Sequence, residues 1–162
     1  MFNTYNSGKV HPSQVIHYTS STDSITMNLS AYDSYGNLTE KYKTNDKKDV
    51  YLWGYNGEYP VARIAGSDYT TVSSYVTSGT LQNPSSDASL RSMIGSIRSA
   101  LTGAQIIGYT YLPGVGISSQ TDPAGRTTYY EYDNHGRLAR IRDQNNNILQ
   151  KFSYNYYNSS TP

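Results

Sequence analysis

Three four-residue turns stand eleven and ten residues apart near the end of the chain: Asp122-Pro123-Ala124-Gly125, Asp133-Asn134-His135-Gly136 and Asp143-Gln144-Asn145-Asn146. An aspartate at the first turn position can bond the backbone two residues on, and a glycine at the fourth accepts positive φ without strain. The segments between them, Arg126 to Tyr132, Arg137 to Arg142 and Asn147 to Tyr157, are rich in strand-favouring residues. A chain punctuated this way runs back and forth as an antiparallel β-meander.

The same punctuation appears upstream. Ile25, Met27, Leu29 and Ala31 alternate with polar residues, the period of a half-buried strand. Asp33-Ser34-Tyr35-Gly36 then reads as a hairpin turn with a glycine bulge, and Leu38 to Lys43 as the return strand. VYLWGY reads as the next strand, Asn56-Gly57 as a tight hairpin turn, and Tyr59 to Ile64 as its partner. Pro60 predicts an edge or a strand start.

From residue 68 the texture changes. Asp68 can cap a short helix with Tyr69, Val72 and Val76 on one face, ending at Gly79. Ser86 or Asp87 can cap a second, with Leu90, Met93, Ile94, Ile97 and Leu101 on its apolar face. The spacing predicts a two-helix insertion at 68–102. It is too short to build its own core. The expected organisation is a poorly ordered N-terminal tail at 1–20, one mainly β (α+β) domain at 21–157, and a polar tail at 158–162.

Composition narrows the function classes. The chain has 162 residues, 36% of them hydrophobic, and 18 tyrosines against two Phe and one Trp. Tyrosine buries a ring but keeps a hydroxyl that needs a partner. Such a chain suits half-wet sheets and interfaces. A net charge of +1 with no basic cluster gives no nucleic-acid footprint. The lack of cysteine excludes disulfides, Cys-ligated zinc and a Cys nucleophile. No apolar run is long enough for a membrane-spanning helix, so no membrane insertion is expected. MFNTYNSGKV lacks the charged and apolar regions of a signal peptide.

The motif Y-D-x-x-G-[RN]-L occurs twice, at Tyr32 to Leu38 and at Tyr132 to Leu138, and Thr121 to Arg126 (TDPAGR) is a close cousin. This resembles the YD repeats of the rearrangement-hotspot (Rhs) and teneurin-type family. YLWGYNGEYPVARI, followed by helices and then YTYLPGVGISSQTDPAGRTTYYEYD, is similar to the Rhs-repeat proteins common in Bacteroidetes. The resemblance spans roughly 25–157. It implies a sheet of repeated hairpins, and in large members a spiral shell around a C-terminal toxin. It also implies surface adhesion and carbohydrate binding in some members. With few repeats, this chain cannot close a large shell by itself. The family's D-P-x-G-L-x-G self-cleavage box is absent, because Gly125 is followed by Arg126-Thr127. The resemblance therefore predicts the C-terminal part of a larger protein, secreted or at the cell surface. Its partners would be upstream repeats or a second copy.

Candidate chemistry weighs against catalysis. Glu131, Asp133 and His135 could be imagined as an acid–base set, but Asp133 and Gly136 are explained by turn chemistry. No G-x-S-x-G elbow occurs. Three histidines without ligand spacing make no zinc site. Asp143 to Asn147 imitates a calcium loop, but Ile148 replaces its glycine and Tyr154 its final glutamate. Gly114-Val115-Gly116 opens a strand rather than a helix, so a dinucleotide loop fails. No cofactor and no metal are expected.

The expected function is a non-enzymatic structural or surface-interaction module. Its structural turn residues are Asp33, Gly36, Asn56, Gly57, Asp122, Gly125, Asp133 and Gly136. The alternative is a carbohydrate-binding module in which Trp53, Tyr51, Tyr55, Tyr59, Tyr130 and Tyr132 offer stacking faces. Cross-strand pairing of those same rings, at about 0.2–1 kcal/mol per pair, is the simpler role.

Overall fold

The computed structural model describes residues 2–4 and 10–155. Its strands are β1 (Phe2–Thr4), β2 (Val10–Pro12), β3 (Gln14–Tyr18), β4 (Ser24–Tyr32), β5 (Leu38–Lys43), β6 (Asp49–Gly54) and β7 (Tyr59–Ala65). Helices α1 (Tyr69–Ser73), α2 (Ser78–Gln82) and α3 (Asp87–Ala100) follow. The chain then returns through β8 (Gln105–Leu112), β9 (Gly116–Thr121), β10 (Thr127–Tyr132), β11 (Leu138–Arg142) and β12 (Ile148–Lys151). Strands β3 to β12 form one ten-stranded antiparallel sheet in sequence order, and β1 pairs separately with β2. The fold is mainly β, a meander with a small helical insertion.

The insertion contains three helices, where two are expected from the sequence. Thr77 starts α2, and Gly79, read as a helix end, lies inside it. A tertiary contact decides this. The backbone N–H groups of Tyr55 and Asn56 donate to the carbonyls of Leu81 and Gln82, fixing the end of α2 on the β6–β7 hairpin. Gly54 permits the approach, since a Cβ there would lie 2.6 Å from the Leu81 carbonyl oxygen.

Helices cover only the middle of one face. Leu90, Met93, Ile94 and Ile97 of α3 are buried, with Val72 of α1 and Leu81 of α2. They meet Val50, Leu52, Val61, Ala62, Ile64 and Ile106 from β6, β7 and β8. The amphipathic spacing of α3 makes this stripe. Ser86 caps its first turn through a reciprocal box with Ser89. Among the described residues, no strand other than β6, β7 and β8 contributes a buried hydrophobic side chain.

Residues 1–20 are expected from the sequence to be a poorly ordered tail. Strand β3 lies within that range and pairs along its length with β4, from Gln14↔Asn28 to Tyr18↔Ser24. Its own sequence carries little periodicity because it is an edge strand, with Val15, Ile16 and Tyr18 exposed. At the other end the last strand is shorter than expected and stops at Lys151, and Tyr157 and the tail at 158–162 lie outside the described residues. Among those residues, no helix is long and apolar enough to cross a membrane.

Candidate functional site

Four turns share one construction. The aspartate backbone bonds the fifth residue and receives the N–H of the fourth: Asp33 with Asn37 and Gly36, Asp122 with Arg126 and Gly125, Asp133 with Arg137 and Gly136, Asp143 with Asn147 and Asn146. The carboxylate then reaches forward. Asp133 Oδ1 accepts from the N–H groups of His135 and Arg137, and Oδ2 accepts from Arg137 Nε at 2.8 Å. Asp33 and Asp143 do the same with Asn37 and Asn147. The fourth position has positive φ in all four, 95° at Gly36, 83° at Gly125, 73° at Gly136 and 66° at Asn146. The Arg137 guanidinium and the N–H bonds hold the Asp133 carboxyl down at about 2.

The fifth-position side chains Asn37, Arg126, Arg137 and Asn147 are therefore part of the turn, a role the sequence reading does not assign. The signal is present in the [RN] of the motif. Asn56 and Gly57, both at positive φ, make the separate tight turn between β6 and β7.

The aromatic residues form a second, longer-range pattern. In four hairpins a β-bulge falls immediately before an aromatic residue. That residue pairs with the one preceding the bulged position: Tyr32↔Leu38, Trp53↔Pro60, Tyr111↔Ile117 and Tyr132↔Leu138. The extra residues are Thr39, Val61, Ser118 and Ala139. The carbonyl before each bulge lies two residues beyond the last pair that its strand makes with the following strand. A ring from the next hairpin takes it: Trp53 Nε1 donates to Leu38 (2.9 Å), Tyr111 Oη to Pro60 (2.8 Å), Tyr132 Oη to Ile117 (2.9 Å) and Tyr154 Oη to Leu138 (2.9 Å). Tyr32 Oη donates to Pro12 at 2.7 Å and starts the series. Burial pushes the Tyr111 hydroxyl up to about 12 and raises that of Tyr132, so both stay protonated donors near neutral pH.

This ladder distributes the six candidate ligand residues among different environments. Trp53 and Tyr132 are rungs. Tyr55 and Tyr59 join Tyr111 in a cluster, with centroids 5.5 Å apart for Tyr55–Tyr59 and 4.7 Å for Tyr59–Tyr111. Tyr55 Oη accepts from the Tyr111 N–H, and Tyr59 Oη accepts from the Gly114 N–H. Tyr51 carries the Lys41 ammonium over its ring at 5.2 Å, on the face away from the helices. Tyr130 is half-buried and pairs with Ile141. The six do not converge on one concavity. A cleft of about 440 Å³ does exist, between the Asp33 turn and helices α1 and α2, but its aromatic lining is Tyr32, Tyr35 and Tyr69.

The imagined acid–base set is also dispersed into structural roles. Glu131 pairs with Arg140 and Arg142 on the neighbouring strand, while Asp133 is committed to its turn and His135 is exposed. A different polar knot docks α3 on the sheet. Asp87 accepts from Ser118 and Thr110, and Arg91 donates to Ser119 while lying over Tyr129. Among the described residues, no group of three or more His, Asp or Glu side chains is placed to hold a metal ion.

Repeated bulged hairpins, aspartate-locked turns and a ring-to-carbonyl ladder define a β-repeat scaffold. The RHS repeat family model matches residues 116–147, from the start of β9 through the last aspartate turn. The chain therefore carries an RHS (YD) repeat. No curated protein matches it.

Proposed function

We propose that this chain is a non-catalytic structural and surface-interaction module within a larger, exported bacterial YD-repeat protein. The observation that supports this best is the ladder. Four successive steps use the polar atom of an aromatic ring to tie one hairpin to the preceding one. Tyrosine is the side chain for this task, because it combines a stacking face with a hydroxyl donor on a rigid two-torsion stem. The high tyrosine content then serves the scaffold. Neighbouring repeats of the larger chain, or another copy, are its natural partners, since each sheet edge offers unpaired backbone.

Carbohydrate binding is the second reading. Tyr51 and Trp53 stay half-exposed on the face without helices and leave ring surface for a sugar. Trp53 fluorescence during titration with polysaccharides and glycosaminoglycans separates the two. The scaffold reading expects no saturable change and an indole partly shielded from quencher. A saturable shift, lost in a folded Trp53→Phe variant, would replace it with the carbohydrate reading.

A further inference from the structure

The four aspartate turns differ in how their charge is balanced. Asp122 and Asp133 each pair with the arginine at the fifth position. Asp33 and Asp143 have asparagine there, which donates a hydrogen bond but carries no charge. Asp143 opens on a polar groove that holds Arg126 and no aromatic ring. Asp33 instead lines the cleft of about 440 Å³ between its own turn and helices α1 and α2. Among the described residues it is the one charged side chain in that lining, and no lysine, arginine or histidine forms an ion pair with it. Its Oδ1 accepts two backbone N–H bonds and its Oδ2 accepts one from Asn37, which leaves a carboxylate lone pair over.

The surroundings of this carboxylate are aromatic and dry. Tyr35, 47% exposed, packs its ring on Gly57 so closely that a Cβ there would overlap it. Burial, and then the Asp33 charge, raise the Tyr69 hydroxyl above its ordinary pKa, so that phenol stays neutral. A second space of about 40 Å³ adjoins the cleft, sharing Asp33, Leu52, Tyr69 and Leu81 with it and adding Thr39 and Trp53. It has room for one group the size of a water molecule. Thr39 is 2% exposed, and its buried hydroxyl has no hydrogen-bond partner among the described residues. Gln82, the other polar side chain there, is committed to the Gly57 N–H and the Trp53 carbonyl. A primary ammonium matches this space. It is about as large as water, carries three donors, and is attracted both by a carboxylate and by ring faces. An anion would meet only the repulsion of Asp33.

We propose that the cleft binds a primary amine with an apolar body. The ammonium sits in the narrow space among Asp33, Thr39, Trp53 and Tyr69, and the body lies in the wider cleft against Tyr35, Leu52 and Val76. A free amine and a lysine side chain of a peptide present the same chemistry to it. The site adds a ligand to the scaffold and leaves the ladder as it stands.

Isothermal titration calorimetry of the 162-residue chain tests it, with Trp53 emission followed in parallel. His11 stacks on Tyr32, so the titration is run at about pH 8, where imidazole is neutral. The probes are phenethylamine, its uncharged analogue phenethyl alcohol, and its trimethylated form, whose head is too large for the narrow space. Phenethylamine should bind saturably and change the Trp53 emission, and the other two should bind at least about ten-fold more weakly. Asp33→Asn keeps a turn acceptor and removes the charge, and Asn37→Arg supplies the pairing that Arg137 gives Asp133. Each should weaken phenethylamine by about ten-fold, and either suffices if urea melting shows that the other does not fold. Thr39→Val should weaken the amine and leave the alcohol unchanged. Blocked lysine assigns the source: tighter binding than phenethylamine supports a peptide side chain in the site, and weaker binding supports a free amine. No saturable binding of either amine up to ~10 mM would overturn the proposal and leave the scaffold reading untouched. Equal affinity for phenethylamine and its alcohol, or charge variants that bind like wild type, would overturn it equally.

Discussion

Trp53 and Tyr154 occupy the same place in two different hairpins. The indole N–H of one donates to Leu38 and the phenol of the other to Leu138, both at 2.9 Å, and each leucine closes a Y-D-x-x-G turn. An indole can replace a phenol here because the position asks for a flat ring with one outward donor. Tyr111 and Tyr132 fill the intervening places.

The rungs have a measurable energetic signature. Tyr132→Phe keeps the ring and deletes only the donor to Ile117. It should lower stability by about 1 kcal/mol in urea unfolding, with an unchanged m-value. Tyr154→Phe removes an equivalent bond at an exposed position and should cost less. Equal stability of Tyr132→Phe and wild type would mean that the rung is replaced by water without loss.

Turn glycines should tolerate asparagine better than alanine. Gly125 sits at φ 83° with open space where a Cβ would go, so a substitution there reports backbone strain alone. Gly125→Ala should cost about 1 kcal/mol. Gly125→Asn should cost less, because Asn146 holds the equivalent position in the last turn at φ 66°. Calorimetric melting of the two variants side by side gives the order, and the reverse order would contradict it.

Acid should weaken the Asp133 turn over a defined window. The Arg137 guanidinium and two backbone N–H groups lower its pKa from 3.8 to about 2 in the folded chain. The carboxylate's contribution is therefore complete above 3.8 and is lost as pH falls through about 2. Asp122 and Asp143 are lowered by their own turn hydrogen bonds and act in the same direction. Carboxyl carbon NMR shifts across an acid titration should show Asp133 titrating below an ordinary aspartate. In Asp133→Asn the acid dependence of stability should shrink, and in Arg137→Lys the Asp133 pKa should rise.

Gly54 should be intolerant for a different reason. A Cβ there meets the Leu81 backbone carbonyl at 2.6 Å and Val61 Cγ1 at 2.9 Å, atoms fixed by the core. Gly54→Ala should cost about 1–3 kcal/mol by displacing α2 from the hairpin. Hydrogen exchange at Tyr55 and Asn56, whose N–H groups bond α2, should accelerate in the same variant.

Much of the scaffold is legible in the chain itself. Aspartate and glycine at fixed offsets specify turns through local hydrogen bonding and local φ, so those turns were readable without any tertiary information. The apolar stripe of α3 and the alternation of β4 and β6 are local for the same reason. The ladder was not readable. Its donors and acceptors lie 15 residues apart at Trp53–Leu38 but 51 apart at Tyr111–Pro60, because the helical insertion separates the latter pair. Two of the four bulged hairpins, at Trp53–Pro60 and Tyr111–Ile117, lack the Tyr-Asp dipeptide entirely. Ring and acceptor six residues apart, as in Tyr32–Leu38, Tyr111–Ile117 and Tyr132–Leu138, is the faint trace that the sequence carries.

Where this chain turns and which way its strands alternate follow from the residue order alone, because those choices rest on interactions within a few residues. Which carbonyl each ring of the ladder meets is set by packing between hairpins. A ring with one polar atom is equally suited to a ligand face, a cross-strand stack or a rung, and its role depends on which carbonyl lies beyond the end of the neighbouring ladder beside it. The same holds for α2 and for β3, whose own residues specify little. Each is fixed by backbone hydrogen bonds to a neighbour already in place, the β6–β7 hairpin for one and β4 for the other.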